Sequence, residues 1–230
     1  MELRSQEKLS EDGLKNIARF QKKISLNVKP QLKGRQHLDE KYIKVKGKDH
    51  FDLNCIDNIT KFITARLFVA ERTKKKCIEF LSQIKTTCYN QILYWYYIEK
   101  HKKVKDRNLI TFVCDGFENY RNAFNKLFYR VAKLQFGVPI KCKKYGLEHN
   151  NNPIERHNGK IKDRIKIIRG GFGSFEYAEA FLDLFSVVHN FVNPHQELKG
   201  ITPAEKAGVN LKLGRTKLLG LIKYCTKNLT

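Results

Sequence analysis

Hydrophobic and polar positions along the 230-residue chain alternate between two periods. From Leu14 to Ile24 the apolar residues Leu14, Ile17, Phe20 and Ile24 recur at helical spacing, and Pro30 and Gly34 then interrupt the pattern. Between Leu38 and Val69 the period shortens. Three strand-like runs are predicted, at 38–46 (LDEKYIKVK), 50–56 (HFDLNCI) and 61–69 (KFITARLFV), with turns at Gly47-Lys48 and Asp57-Asn58. A long helix is predicted over 73–102, with Cys77, Phe80, Leu81, Ile84 and Cys88 on its apolar side. Its aromatic end, ILYWYYI at 92–98, reads as packing rather than as a stacking surface.

LITFVC at 109–114 is a continuous apolar run, suited to a strand buried on both faces. Helical spacing resumes over 119–134, and a short strand is predicted near 138–142. A helix follows from Asn152, as N-cap, with Pro153 at its first position and Gly170-Gly171 as its stop. Ile154, Ile161, Ile165 and Ile168 form its apolar stripe. Glu155, Lys162, Lys166 and Arg169 share an adjacent polar face, and His157 is expected on the solvent side rather than against a phosphate. An apolar helix over 175–192 and a short one opened by TPAE at 202–205 complete the order. An antiparallel meander, a helical crossover and a buried strand describe an RNase H-like mixed α/β sheet: three antiparallel strands plus further parallel ones, flanked by helices.

Charge narrows the function. With 45 basic against 23 acidic residues the formal net charge is +22, which implies an anionic partner. Nine basic and three acidic residues lie between Lys141 and Arg169, and further basic runs occur at 72–76 and 100–107. Together these favour a polyphosphate. The run at 92–98 is too short to span a bilayer, so no membrane partner is expected. The six cysteines are scattered without metal-binding spacing and read as reduced thiols in a cytoplasmic, nucleoid-associated protein.

Three acids sit at informative places. Asp115 ends the buried strand and precedes Gly116, which suits a plain turn; strand ends are also where α/β sheets hold ligands. Asp39 lies in register with Ile43 and Val45, so it faces the core edge, where a carboxylate requires a partner. Glu155 heads the basic helix, where it suits the helix dipole or a capping box equally well. Two aspartates on neighbouring strands and a glutamate from a later helix would suit hard divalent cations, magnesium or alternatively manganese, in a two-metal site. The cations beside Glu155 would then hold phosphates. Asp57 is expected only to make its turn, and Glu118 only to start a helix.

HLDEKYIKVKGK (37–48), FVCDGFENY (112–120), NNPIERHNGKIKDRIKIIRGGFGS (151–174) and HNFVNPHQELKGITPAEKAGV (189–209) resemble the DDE transposases of small bacterial and archaeal insertion sequences, the integrase-like group. The similarity covers roughly residues 14–210. It implies that Asp39, Asp115 and Glu155 form the catalytic, metal-binding triad. Arg156, Lys162, Arg164 and Arg169 match the family's basic positions, and Lys160 and Lys166 on the same helix join them as candidate DNA contacts.

The implied activity is metal-dependent cleavage and strand transfer of double-stranded DNA, at element ends and at a target, by a homodimer or higher assembly. The implied domains are a helix-turn-helix remnant (1–36), a catalytic core (37–200) and a helical tail (201–230). Residues 14–24 resemble a recognition helix. The family usually has a longer N-terminal region, so the alternative is an N-terminally truncated derivative that binds DNA without mobilising it. The stretch 86–108 also looks expanded relative to the family, and 39 residues separate Asp115 from Glu155.

Overall fold

Lys46 and Gly47 both take positive φ, 49° and 78°, and close a two-residue hairpin between the first two strands. The turn thus falls one residue before the predicted Gly47-Lys48, because Lys48 already pairs with Val45. The computed structural model describes residues 24, 27–137, 152–166, 168 and 171–229. The predicted helix at 14–24 and the predicted strand at 138–142 fall essentially outside them, as does Arg169.

The three strands of the meander are β1 (Gln36–Val45), β2 (Lys48–Asp57) and β3 (Ile63–Val69), paired antiparallel in sequence. Helix α1 (Lys74–Glu99) crosses over to β4 (Thr111–Cys114), which pairs parallel with β1. Helix α2 (Glu118–Phe128) leads to β5 (Lys133–Phe136), parallel to β4. Sheet order is β3-β2-β1-β4-β5, so β1 is central and β4 has a neighbour on each side. Phe112, Val113 and Cys114 of β4 are fully buried, as the unbroken apolar run requires.

Beyond the sheet come α3 (Asn152–Ile165), α4 (Phe175–Phe191), α5 (Pro203–Lys206) and α6 (Lys217–Leu229). The TPAE motif makes a complete capping box: Thr202 Oγ1 accepts from Glu205 N, and Glu205 Oε2 accepts from Thr202 N.

The helix expected over 119–134 is instead split. α2 ends at Phe128, Arg130 takes a left-handed φ of 65°, and Lys133 N donates to Ile110 O at 2.9 Å. Residues 133–136 gain ladder bonds to β4, and this pairing overrides their helical pattern.

Alternation along β1 sorts the two faces of the sheet. Leu38 packs with Leu53, Phe112 and Cys114 against Phe80, Leu81 and Ile84 of α1 and Tyr120, Phe124 and Phe128 of α2. Ile43 and Val45 pack on the opposite face with Phe68, Ile161 of α3, and Ala178 and Leu182 of α4. A third cluster joins Ile24 and Val28, ahead of the sheet, to Phe191 of α4, Ala204 and Ala207 around α5, and Leu221 of α6. Residues on both sides of 36 and 201 therefore share one apolar cluster.

Two polar devices lock this frame. Asp57 is fully buried; its Oδ1 accepts from Ile59 N and Thr60 N and makes the turn, and its Oδ2 accepts from Lys33 N, Gly34 N and Gln36 Nε2. Arg66 of β3 is buried between Asp52 of β2 (2.7 Å from its Nε) and Asp183 of α4, which meets its Nη1. Cys55, Cys77, Cys88 and Cys114 are buried free thiols, and burial pushes Cys77 and Cys88 up to about 11. No helix among the described residues is long and apolar enough to cross a membrane.

Candidate active site

Gln36 and His37 of β1 pair with Phe112 and Val113 of β4. Continuing that parallel register by two positions sets Asp39 opposite Asp115, which lies one residue past the end of β4. Adjacent strands run about 4.8 Å apart, so the two carboxylates share one neighbourhood. Asp115 is exposed, and its Oδ1 accepts from Phe117 N at 3.1 Å. It makes its local turn and borders Asp39 at the same time.

Asp39 is half-buried. Burial raises its carboxyl to about 7, and the nearby charges of Glu40 and Asp115 push the same way. The Glu40 backbone and Asn158 oppose that rise by hydrogen bonding. Asn158 Nδ2 donates to Asp39 Oδ2 at 2.9 Å, which fastens α3 onto the central strand.

Glu155 is exposed and sits three residues before Asn158 on the same helix. Residues three apart are neighbours on a helix surface, with about 5–6 Å between their Cβ atoms. Glu155 is therefore one side chain away from the group that touches Asp39. Even so, no three His, Cys, Asp or Glu side chains among the described residues converge closely enough to hold a metal ion. Asp39 and Asp115 are neighbours across β1 and β4, and Glu155 lies on the helix that Asn158 ties to β1.

Two parts of this neighbourhood escape a reading of the sequence. Asn158 is one; its position on the edge of the apolar stripe of α3 is visible only once β1 is beside it. Glu40 is the other. It points to the opposite face of β1, where Arg72 Nη1 meets its Oε1 and Tyr120 OH donates to its Oε2 at 3.2 Å. Burial raises its carboxyl, Arg72 lowers it, and Asp115 raises it again.

His157 is a correction. It is 2% exposed and does not face solvent. Its position lies between Ile154 and Ile161 at helical spacing, inside the stripe that packs on α4. Its ring lies 5.3 Å from that of His189, and burial, then His189, hold it well below the usual histidine range.

The expected DNA contacts separate into two rows. Lys162 and Lys166 are exposed on the Glu155 side, and Lys166 pairs with Asp163 at 2.9 Å. Arg156, Lys160 and Arg164 are exposed on the other side. Arg156 pairs with Glu197 at 2.7 Å, and Lys160 Nζ lies 3.5 Å from His195 Nε2. Lys61, Arg156, Lys160 and His195 line a cavity of about 390 Å³ between α3 and the 194–197 segment.

After the helix, Gly171 (φ 85°) crosses β1 so closely that a Cβ would lie 2.6 Å from Lys44 O. Phe172 then bonds to Lys44 and Lys46 and pins the end of the loop to β1.

No family model and no curated protein sequence matches the chain. Solved structures do. The chain is similar to one in the structure of the simian T-cell lymphotropic virus intasome in complex with the PP2A regulatory subunit B56 gamma, with 12% identity over 79% of this chain and a TM-score of 0.50. It spans 56% of that viral chain.

It also resembles the HTLV-2 integrase catalytic core domain in complex with magnesium (12% identity, 77% of this chain, 97% of that chain, TM-score 0.45). The catalytic domain of the Mos1 mariner transposase matches at 11% identity over 98% of both chains, with a TM-score of 0.43. The fold is thus an RNase H-like mixed sheet flanked by helices, and the likeness to the intasome chain is one of fold.

Proposed function

We propose that the chain is a DDE transposase of the insertion-sequence type, which cuts DNA at an element end and joins the freed end to a target. The observation that carries this reading is the pairing of Asp39, half-buried on the central strand, with Asp115 at the end of its parallel neighbour. Asn158 ties that pair to the helix bearing Glu155.

Asp39, whose charged form is disfavoured by burial and by the nearby charges of Glu40 and Asp115, is suited to a hard divalent cation, which takes carboxylate oxygens. Asp39, Asp115 and Glu155 would hold magnesium, or manganese in its place. When bound, the metal would supply activation of an attacking oxygen and stabilisation of the departing one.

The chain's own residues do the rest. Lys162, Arg164 and the neighbouring cations of α3 would hold the phosphate backbone and fix its register over the acids. Asn158 would keep α3 seated, so that Glu155 stays beside the aspartates. Water attack on the phosphodiester at an element end frees a 3′-hydroxyl. That hydroxyl attacks target DNA, and the target strand's own 3′-oxygen leaves. No covalent bond between protein and DNA forms in either step. A dimer or larger assembly on paired ends would bring two such sites to one target.

The test is Glu155→Gln, assayed with magnesium on DNA carrying an element end. Both cleavage and joining should vanish while duplex affinity stays near wild type. Strand transfer surviving in that variant sinks the assignment.

One observation favours a second reading. Glu155 is exposed and the three acids do not gather into a metal-holding group among the described residues. A derivative that binds DNA without mobilising it would show salt-sensitive, weakly specific binding and no end cleavage. Tight preference for one terminal sequence over random duplex refutes that alternative.

A further inference from the structure

The carboxyl end of α1 departs from its expected role. The sequence pattern predicts packing for its aromatic run, but Tyr94, Tyr97 and Ile98 stand on one outward face, 61%, 56% and 44% exposed. Trp95, 38% exposed, borders that face. The first part of the helix buries its apolar side under the sheet. Towards its end Ile92 and Glu99 stay buried on that side, while Tyr94, Tyr97 and Ile98 lie on the face turned away from it.

These rings are arrayed among cations. Tyr94 and Trp95 meet edge to face at 5.8 Å, and Lys100 Nζ lies 4.8 Å from the centre of the Tyr97 ring. Residues 100–107 hold five Lys or Arg and one Asp, and residues 100–106 are all exposed. Glu99, at the helix end, is buried and engaged: its Oε1 accepts from Lys102 Nζ and its Oε2 from Asn108 N. Arg107 folds the segment back by donating to the carbonyls of Lys100 and Lys102. Beside the rings, Trp95 forms one wall of a cavity of about 400 Å³ that Lys33, Arg35, Asn58 and Thr111 also line.

We propose that this surface binds single-stranded DNA, with bases stacked on Tyr94, Trp95 and Tyr97 and phosphates held by the 100–105 lysines. Aromatic faces set among cations are what a single strand requires, because every free base offers a π-face and every linkage a charge. A duplex fits poorly, since its base faces are already covered and exposing them costs unstacking. A second copy of this chain fits poorly too. Its net charge is +22, and docking two such surfaces would bring lysine runs together.

The surface lies at the Thr111 end of β4, and Asp115 lies past the other end. Four residues of strand separate them by about 13 Å. Neither Asp39 nor Asp115 takes part, so the proposal stands apart from strand transfer.

Trp95 is the chain's one tryptophan, so intrinsic emission reports this surface alone. The experiment titrates the full chain, in EDTA, with short oligo(dT) and with blunt duplex. Emission should be quenched saturably by oligo(dT), less so at higher salt, and little by duplex. Tyr97→Ala should weaken oligo(dT) binding roughly tenfold, and Lys103→Glu/Lys105→Glu should weaken it and flatten its salt dependence. Both variants alter exposed residues, and circular dichroism verifies their folding.

Binding detected by anisotropy with unchanged Trp95 emission and wild-type affinity in both variants overturns the proposal. So does emission that shifts with protein concentration alone as the mass doubles, which would mean a second copy covers the rings.

Discussion

Asn158 Nδ2 and Asp39 Oδ2 meet at 2.9 Å across 119 residues of sequence, a side-chain hydrogen bond between α3 and the central strand. It joins the buried acid to the helix that carries Glu155. Asn158→Ala should cost about 1–2 kcal/mol of stability by removing this bond, measured by urea denaturation. Strand cleavage should fall further than stability accounts for, because Glu155 loses its anchor. Asn158→Asp should be worse in both respects, since it places a second carboxylate against Asp39.

Carboxylates gathered without a cation repel. Adding magnesium near neutral pH should raise the midpoint of thermal unfolding, and calcium should do so as well. Asp39→Asn or Asp115→Asn should unfold at a higher temperature than the wild type in EDTA and show little response to magnesium. An equal magnesium shift in wild type and both variants would remove these acids from any metal site.

Arg66 is buried between Asp52 and Asp183, and its removal would leave two carboxylates without a cation. Burial already raises Asp183 to about 6 despite the arginine. Arg66→Met should destabilise the fold by about 3–5 kcal/mol. Adding Asp52→Asn and Asp183→Asn should recover part of the loss. Denaturation midpoints of the single and triple variants decide this.

His189 is buried, its Nε2 donating to Lys61 O at 2.8 Å, and burial lowers it to about 4. The unfolded chain binds a proton below about pH 6.5, where the folded one does not until about 4. This histidine therefore subtracts stability as pH falls through that window, by about 1.4 kcal/mol per pH unit. Asp39, raised to about 7, and Asp183, raised to about 6, act with the opposite sign, because the folded chain keeps their protons longer. The histidine share is read from His189→Gln, whose stability relative to wild type should improve steadily as pH falls from about 6.5 to 4.

The basic residues of α3 should not contribute equally to duplex binding. Lys162 and Arg164 are exposed, whereas Arg156 and Lys166 are engaged with Glu197 and Asp163. Lys162→Ala and Arg164→Ala should each weaken binding and reduce the slope of log K against log salt by about 0.9. Arg156→Ala and Lys166→Ala should change it less. Salt titrations of the four variants test the ranking.

The meander was legible from sequence because strict alternation fixes which side of a strand is buried, and a Gly in a polar gap supplies the turn. β4 was legible because a strand covered on both faces reads as unbroken apolar sequence. The capping box at Thr202 and the turn at Asp57 are contacts between residues close in the chain, so local chemistry determined them. So too did the placing of an acid on β1, another at the end of β4, and a third at the head of a basic helix.

What lay across the sheet was beyond the sequence. β5 interrupts a helical pattern because its bonds go to β4. His157 lies on the apolar stripe, yet only the packing of α4 against that stripe decides that it is buried. The Asn158–Asp39 bond depends on the distance between two elements, a quantity set by how side chains fill the space between helix and strand. Periodicity determines which face of each element turns inward. Which side chains then meet is decided by packing in three dimensions.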